Sequence, residues 1–378
     1  MGSGTAPDNA AQRRVEEILG EVTGSGAELG VQVAAWLDGE LVVDAWAGAA
    51  DEAGGRPMGP DTLVPAWSTG KGVAAALVAV LVDRGVLAYG EPVARYWPEF
   101  GAAGKERVTL GQVLSHSAGL PQLPADVTPE RLLDLPATAA WLAGQAPLWE
   151  PGSAVGYHAW TFGVLVAEIV RRATGRGCDE LLREELAGPL GIADDLLFHA
   201  PERLQSRVAV CDDGGWAARL EAMPAGAPFL VAAPRAVFPV AGLANRADFR
   251  RTPLPANGVL TARALSRLYA ALAGGGEPAG VRLLSAPTLR EATTGRVSGV
   301  DRTLGIPWTM GYGFLVGDGS TPVRPAGGFG HSGSGGSTGF ADPAHRFSFA
   351  LVKNRMTTGS LDARLAREVR TALGIADG

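Results

Sequence analysis

The sequence predicts an α+β fold: an antiparallel sheet flanked by helices, a second lobe that is mainly helical, and the functional cleft between the two. Three observations predict it. Strand-type patterns lie near both ends of the 378-residue chain, the stretch between them has helical period, and one more helix closes the chain. Strands from both ends then share one mostly antiparallel sheet, and the helical insert becomes the other lobe. On this division residues 1–66 and 281–378 form a discontinuous α/β lobe and 67–280 the helical one, all within one catalytic domain over 27–375.

The elements follow in order. Residues 9–22 are a polar helix candidate. Val31–Leu37 and Leu41–Trp46 are apolar runs around Asp38-Gly39-Glu40, the signature of a hairpin closed by an Asp-Gly turn. After Pro60 the period becomes helical, and Thr69–Leu81, rich in Ala, Val and Leu, ends at Gly85. Further helices are expected over Leu110–Ser115, Pro129–Ala143, Phe162–Arg172, Asp179–Ala187 and Ala262–Ala273. Residues 212–258, rich in Gly and Pro and without clear period, read as long loops along the cleft. Strands return over Gly311–Val316, Gly327–His331, Gly339–Ala341 and Arg346–Lys353, and Leu361–Leu373 is the closing helix.

Composition narrows the function classes. The apolar and charged fractions are those of a globular chain, and a net charge of −6 selects no partner. No Lys/Arg cluster interleaves with aromatics, so nucleic-acid binding has no support. The longest apolar run, Val73–Val82, is too short to span a bilayer, which takes roughly 20 residues. The first residues show no basic start followed by an apolar stretch, and only Cys178 and Cys211 are present, so a reducing cytoplasm is the expected location. Both thiols read as buried. Thirty arginines stand against three lysines, Lys71, Lys105 and Lys353, which makes any lysine here a rare residue.

Ser68-Thr69-Gly70-Lys71 opens the Ala/Val-rich helix, and Ser68 is the only serine with a lysine three residues on. That spacing puts both side chains on one helical face. A serine hydroxyl is a weak nucleophile until a base takes its proton, and a lysine can serve once burial lowers its pKa from about 10.4. The plainer alternative is a helix cap followed by a surface lysine. Tyr157, introduced by Glu150-Pro151-Gly152, can point into the cleft and relay a proton, or simply pack as an aromatic. Gly330–Gly336, with His331, Gly333 and Ser334 inside it, follows an apolar strand. It reads either as a strand edge that offers backbone N–H groups to a substrate or as an ordinary glycine-rich turn.

In order and separation these three motifs resemble class C β-lactamases, DD-peptidases and above all the related family VIII carboxylesterases. Leu114–Leu120 (LSHSAGL), Trp149-Glu150-Pro151-Gly152 and Gly328–Pro343 (GFGHSGSGGSTGFADP) resemble stretches of the same family, and the similarity runs over about residues 27–375. The resemblance implies a β-lactamase/penicillin-binding-protein-like fold with its active site in the cleft. It implies Ser68 as nucleophile, Lys71 and Tyr157 as acid/base pair, and the backbone amides of Ser68 and Ser334 as oxyanion hole. It also implies substrate contacts from His331, Gly333, Trp67, His158 and Ala159. No cofactor or metal is implied, and the expected partner is a small acyl ester or acyl donor.

Two departures bear on the substrate. Where the β-lactamase tyrosine motif carries an Asn in third position, Tyr157-His158-Ala159 has Ala159. His331 stands where those enzymes carry a lysine that meets the β-lactam carboxylate. Imidazole is largely neutral at about pH 7, so ester cleavage is expected over β-lactam cleavage. Alternatives remain on the same fold: an acyltransferase delivering the acyl group to an alcohol or amine, a β-lactamase or DD-peptidase, or a silent scaffold. Gly335-Gly336-Ser337-Thr338-Gly339 also matches the G-x-S-x-G elbow of α/β-hydrolases, but the residues after it read as turn and strand where that elbow needs a helix. The five histidines and two cysteines show no metal-ligand spacing.

Overall fold

The computed structural model describes residues 7–276, 282–320, 323 and 325–375. Its strands, in chain order, are β1 (Gly30–Leu37), β2 (Glu40–Asp51), β3 (Arg56–Pro57), β4 (Val64–Trp67), β5 (Leu196–Leu197), β6 (Asp212–Asp213) and β7 (Gly258–Leu260). The later ones are β8 (Val297–Val300), β9 (Pro307–Met310), β10 (Leu315–Val316), β11 (Phe329–Ser332), β12 (Thr338–Asp342), β13 (Phe347–Lys353) and β14 (Arg355–Met356). Nine of them form one antiparallel sheet in the order β3-β2-β1-β13-β12-β11-β10-β9-β8. Both ends of the chain meet at its centre, where Val31 of β1 pairs with Lys353 of β13.

The β1–β2 hairpin turns where the sequence places it. Asp38 and Gly39 both take left-handed φ, 51° and 84°, as a two-residue turn between twisted strands demands. The alternation along β1 and β13 then sorts side chains onto two faces. Val31, Val33, Phe347, Phe349 and Leu351 point to one core, closed by helix α1 (Ala10–Gly24) and the terminal helix Leu361–Ala372. The other face is built of small residues, among them Ala34, Gly339 and Ala350, and the helix Ala262–Ala273 lies directly on it. A Cβ on Gly339 would sit 2.6 Å from Leu265, so that close approach requires glycine.

Helix α2 (Thr69–Asp83) runs through the main core, buried from Thr69 to Leu81. No helix among the described residues is long and apolar enough to cross a membrane.

Several elements differ from expectation. The helix expected over Pro129–Ala143 is two, Pro129–Leu133 and Leu135–Ala143. Pro136 starts a new helix better than it continues an old one, and the Asp134 side chain caps it at 3.1 Å from the amide of Ala137. Residues 212–258 are not long loops only: they carry short helices over Trp216–Glu221, Phe229–Ala232, Ala241–Ala244 and Ala247–Arg251. The strand expected over Gly311–Val316 shrinks to β10, because Gly313 turns the chain with φ 83°. β8 and β9 lack the alternation that marks a strand in sequence. β8 is largely exposed and contains Gly299, and β9 opens on Pro307.

Candidate active site

Ser68 stands at the join of β4 and α2. The turn is made by Trp67, which takes left-handed φ of 52°, costly for an aromatic residue, and is held there by packing. Its ring lies 5.5 Å from that of Phe249 and 6.3 Å from that of Trp160. Ser68 is the N-terminal cap of α2, yet its side chain makes no capping bond and is left for Lys71. The Lys71 Nζ sits 2.8 Å from Ser68 Oγ and 3.4 Å from the Ala256 carbonyl, with the Tyr157 ring centroid 5.0 Å away. The ammonium side chain is fully buried, and no carboxylate lies within ion-pair distance among the described residues. Burial therefore holds its pKa well below the ordinary lysine range, toward the free amine that can accept a proton.

Tyr157 rests on a platform built from His116 and Leu120, of the stretch Leu114–Leu120, together with its own neighbours Gly156 and His158. His116 adopts left-handed φ of 58°, its Nδ1 accepts from the amide of His158 at 3.0 Å, and its carbonyl accepts from Gly156 at 3.0 Å. His158 Nδ1 bonds the Gly156 carbonyl at 2.6 Å while its Nε2 accepts from the Leu120 amide at 2.9 Å, which fixes the Nδ1–H tautomer. Burial pulls His158 down to about 4, and His116 well below its usual value, so both rings are neutral. From the far side Asp301 Oδ1 accepts from the Tyr157 amide at 3.1 Å, and also from Thr303 and Leu304. The Tyr157 hydroxyl hydrogen-bonds Ser68; burial raises its pKa, and that bond partly offsets the rise.

The edge of β11 closes the site. Gly333 approaches so near that a Cβ there would sit 2.1 Å from the Ala66 carbonyl and 3.3 Å from the Ser68 amide. Only glycine allows this contact, and it brings Ser334 beside Ser68. Among the described residues neither the Ser68 nor the Ser334 amide donates a backbone hydrogen bond. A cavity of about 410 Å³ opens over them. Trp67, Trp160, Trp216, Phe229 and Trp308 make its wall predominantly aromatic, with Ser68, Tyr157, Ser332, Gly333 and Ser334 at its polar end.

The structure thus brings together Ser68, Lys71, Tyr157, Gly333, Ser334 and Trp67, and it places Ala159 on the cavity wall. Two expected substrate contacts lie off the cavity wall. His158 is buried beneath Tyr157 with both ring nitrogens committed to backbone partners. His331 is only 2% exposed, its Nδ1 bonds the Ser332 carbonyl at 2.8 Å, and its ring lies behind Tyr157 at 6.1 Å, off the cavity wall. The pleat explains it: along β11 His331 faces inward and Ser332 faces the cavity, and Gly333 and Ser334 follow past the strand's end.

Three residues escaped the sequence reading. Asp301 had no motif to mark it, His116 stood inside the family-like stretch Leu114–Leu120 with no role assigned, and Arg219 lies in a segment read as loop. The G-x-S-x-G match is no elbow. Ser337 is buried, its Oγ accepts from the Lys353 amide at 3.3 Å, and β12 follows it. His345 bonds Asp342, but that carboxylate also holds the buried Arg370.

Comparison with known proteins gives consistent relatives. The profile of the Beta-lactamase family matches residues 11–373. The chain is 40% identical over 339 residues to Esterase/beta-lactamase LipL of Mycobacterium tuberculosis, covering 86% of this chain and 77% of that protein. A family VIII carboxylesterase of known structure superposes with a TM-score of 0.88 at 34% identity, over 97% of this chain and 99% of the other. A penicillin-binding protein homologue from Caulobacter crescentus superposes with a TM-score of 0.85 at 38% identity, over 99% of both chains.

Proposed function

Since the chain belongs to the Beta-lactamase family, and its site has the parts of a serine hydrolase, we propose that it cleaves carboxylic esters through an acyl-enzyme on Ser68. The observation that carries this reading is the 2.8 Å contact between Ser68 Oγ and a buried lysine amine with no neutralising carboxylate. The free amine of Lys71 takes the Ser68 proton as Oγ bonds to the ester carbonyl carbon. The carbonyl oxygen becomes an oxyanion that accepts from the amides of Ser68 and Ser334, with the N-terminal end of α2 behind it. The proton then passes through the Tyr157 hydroxyl to the departing alkoxide as the C–O bond breaks. In the second half water gives its proton back along the same path, attacks the acyl carbon and releases Ser68.

Esters are favoured over β-lactams by what stands around the serine. His331 is turned away, so no cation occupies the β11 edge where a β-lactam carboxylate would bind, and Ala159 has no amide to offer an acylamino side chain. The name of the Mycobacterium tuberculosis relative carries both activities and that of the structural neighbour only the esterase. The test compares p-nitrophenyl butyrate with nitrocefin, each with and without a nucleophilic alcohol. Hydrolysis of the butyrate in preference to nitrocefin supports the reading. Product formed only with the alcohol points to acyl transfer, and a phosphonate adduct on Ser337 instead of Ser68 overturns the nucleophile.

A further inference from the structure

Among the described residues the wall of the cavity holds one charged side chain, Arg219, on the short helix Trp216–Glu221. Its guanidinium lies over the Trp216 ring, 5.9 Å from the centroid, and Trp216 is itself wall. The stacking holds the cation against an aromatic part of the same wall that carries Ser68, Tyr157 and Ser334. Arg219 makes no ion pair or side-chain hydrogen bond among the described residues. This contrasts with most arginines of this chain, which are paired with carboxylates. No carboxylate lines the cavity.

An unpaired guanidinium on the wall of a mainly apolar cavity offers a planar fork for an anion. We propose that Arg219 selects esters whose acyl chain has an apolar body and ends in an anionic group, such as a carboxylate. The inference rests on the ester reading above and deepens it. The acyl side is the one assigned because the acyl group stays on Ser68 through both half-reactions, so a wall fixed around Ser68 acts on it twice. The alcohol leaves after the first.

The experiment measures kcat/KM for the mono-p-nitrophenyl esters of succinic, adipic and suberic acid beside p-nitrophenyl butyrate and hexanoate. The enzymes are wild type, Arg219→Gln and Arg219→Glu. Arg219 is exposed, so its attraction is partly screened, and removing it lowers kcat/KM for the best hemi-ester by about 5- to 20-fold. Arg219→Glu lowers it further, the neutral esters stay within about twofold, and added salt erodes the wild-type preference. Ratios of hemi-ester to neutral ester that are the same in all three enzymes overturn the proposal while leaving the esterase reading standing. An Arg219 effect confined to an ester with its sulfonate on the leaving phenol overturns the acyl-side assignment. No turnover of any ester overturns the esterase reading, and this inference with it.

Discussion

Lys71 and Ser68 touch at 2.8 Å inside a core where, among the described residues, the lysine has no counter-charge. A lysine so placed is a base held ready by desolvation alone, with no ion pair to tune it.

Lys71→Ala and Tyr157→Phe should each lower kcat by about 10²–10⁴-fold, with smaller changes in KM. The two share one proton path, so the double variant should be little worse than the poorer single one. The wild-type rate should rise with pH as Lys71 loses its proton, with an inflection well below the free lysine value of about 10.4. Steady-state kinetics on p-nitrophenyl butyrate across pH check both points; losses that multiply contradict the shared path.

The same burial has a cost in stability, and its sign is fixed. The folded-state pKa of Lys71 is depressed. Below about pH 10.4 the unfolded chain therefore binds a proton that the native one refuses, and the penalty grows as pH falls toward the folded value. Lys71→Met removes it. This inactive variant should melt above wild type, by a margin larger at pH 6 than at pH 10. Thermal unfolding followed by circular dichroism at the two pH values decides it, and an equal or negative shift at both contradicts the depressed pKa.

Gly333→Ala should break the approach of β11 to Ser68, since the new methyl group would meet the Ala66 carbonyl at 2.1 Å. Moving Ser334 away takes one donor from the oxyanion, so kcat should fall by about 10²–10³-fold with far-UV circular dichroism unchanged. A fully active alanine variant would place the second oxyanion donor elsewhere.

Asp301 is a positioning residue: one oxygen accepts from Tyr157, Thr303 and Leu304, and Thr303 and Leu304 are cavity wall. Asp301→Ala should lower kcat by about tenfold or more and change the preference between short and long acyl chains, because wall and tyrosine move together. Asp301→Asn keeps the accepting oxygen and should restore most of both. A fall in melting temperature with kcat and chain preference intact would make Asp301 merely structural.

What the sequence told in advance follows from what can be read locally. The Asp38-Gly39 hairpin, α2 and the Ser68–Lys71 face depend on neighbours along the chain, and all three lie where expected. β8 and β9 pair with each other at the sheet's edge, but Gly299 and Pro307 and the lack of alternation kept either from reading as a strand. The inward turn of His331 and the reach of Arg219 into the cavity are products of packing between distant segments. The motif reading therefore fixed on the histidine and overlooked the arginine. Asp301 is as telling: a lone aspartate before Arg-Thr-Leu acquires its role only when Tyr157 arrives from 144 residues away.

The pairing of Val31 with Lys353 also sets a timetable for making the molecule. β1 and β2 leave the ribosome long before β13, the strand that completes their sheet. The nucleophile waits on the same event, because Gly333 and Ser334 belong to that late segment. Closing so long a loop is slow compared with forming a local hairpin. A nascent chain stopped before β11 therefore carries Ser68 and Lys71 without Ser334, the second proposed oxyanion donor, and with the apolar face of β1 unsheltered. Such a fragment is inert as a catalyst and exposed to aggregation, a state in which a chaperone has a surface to grip.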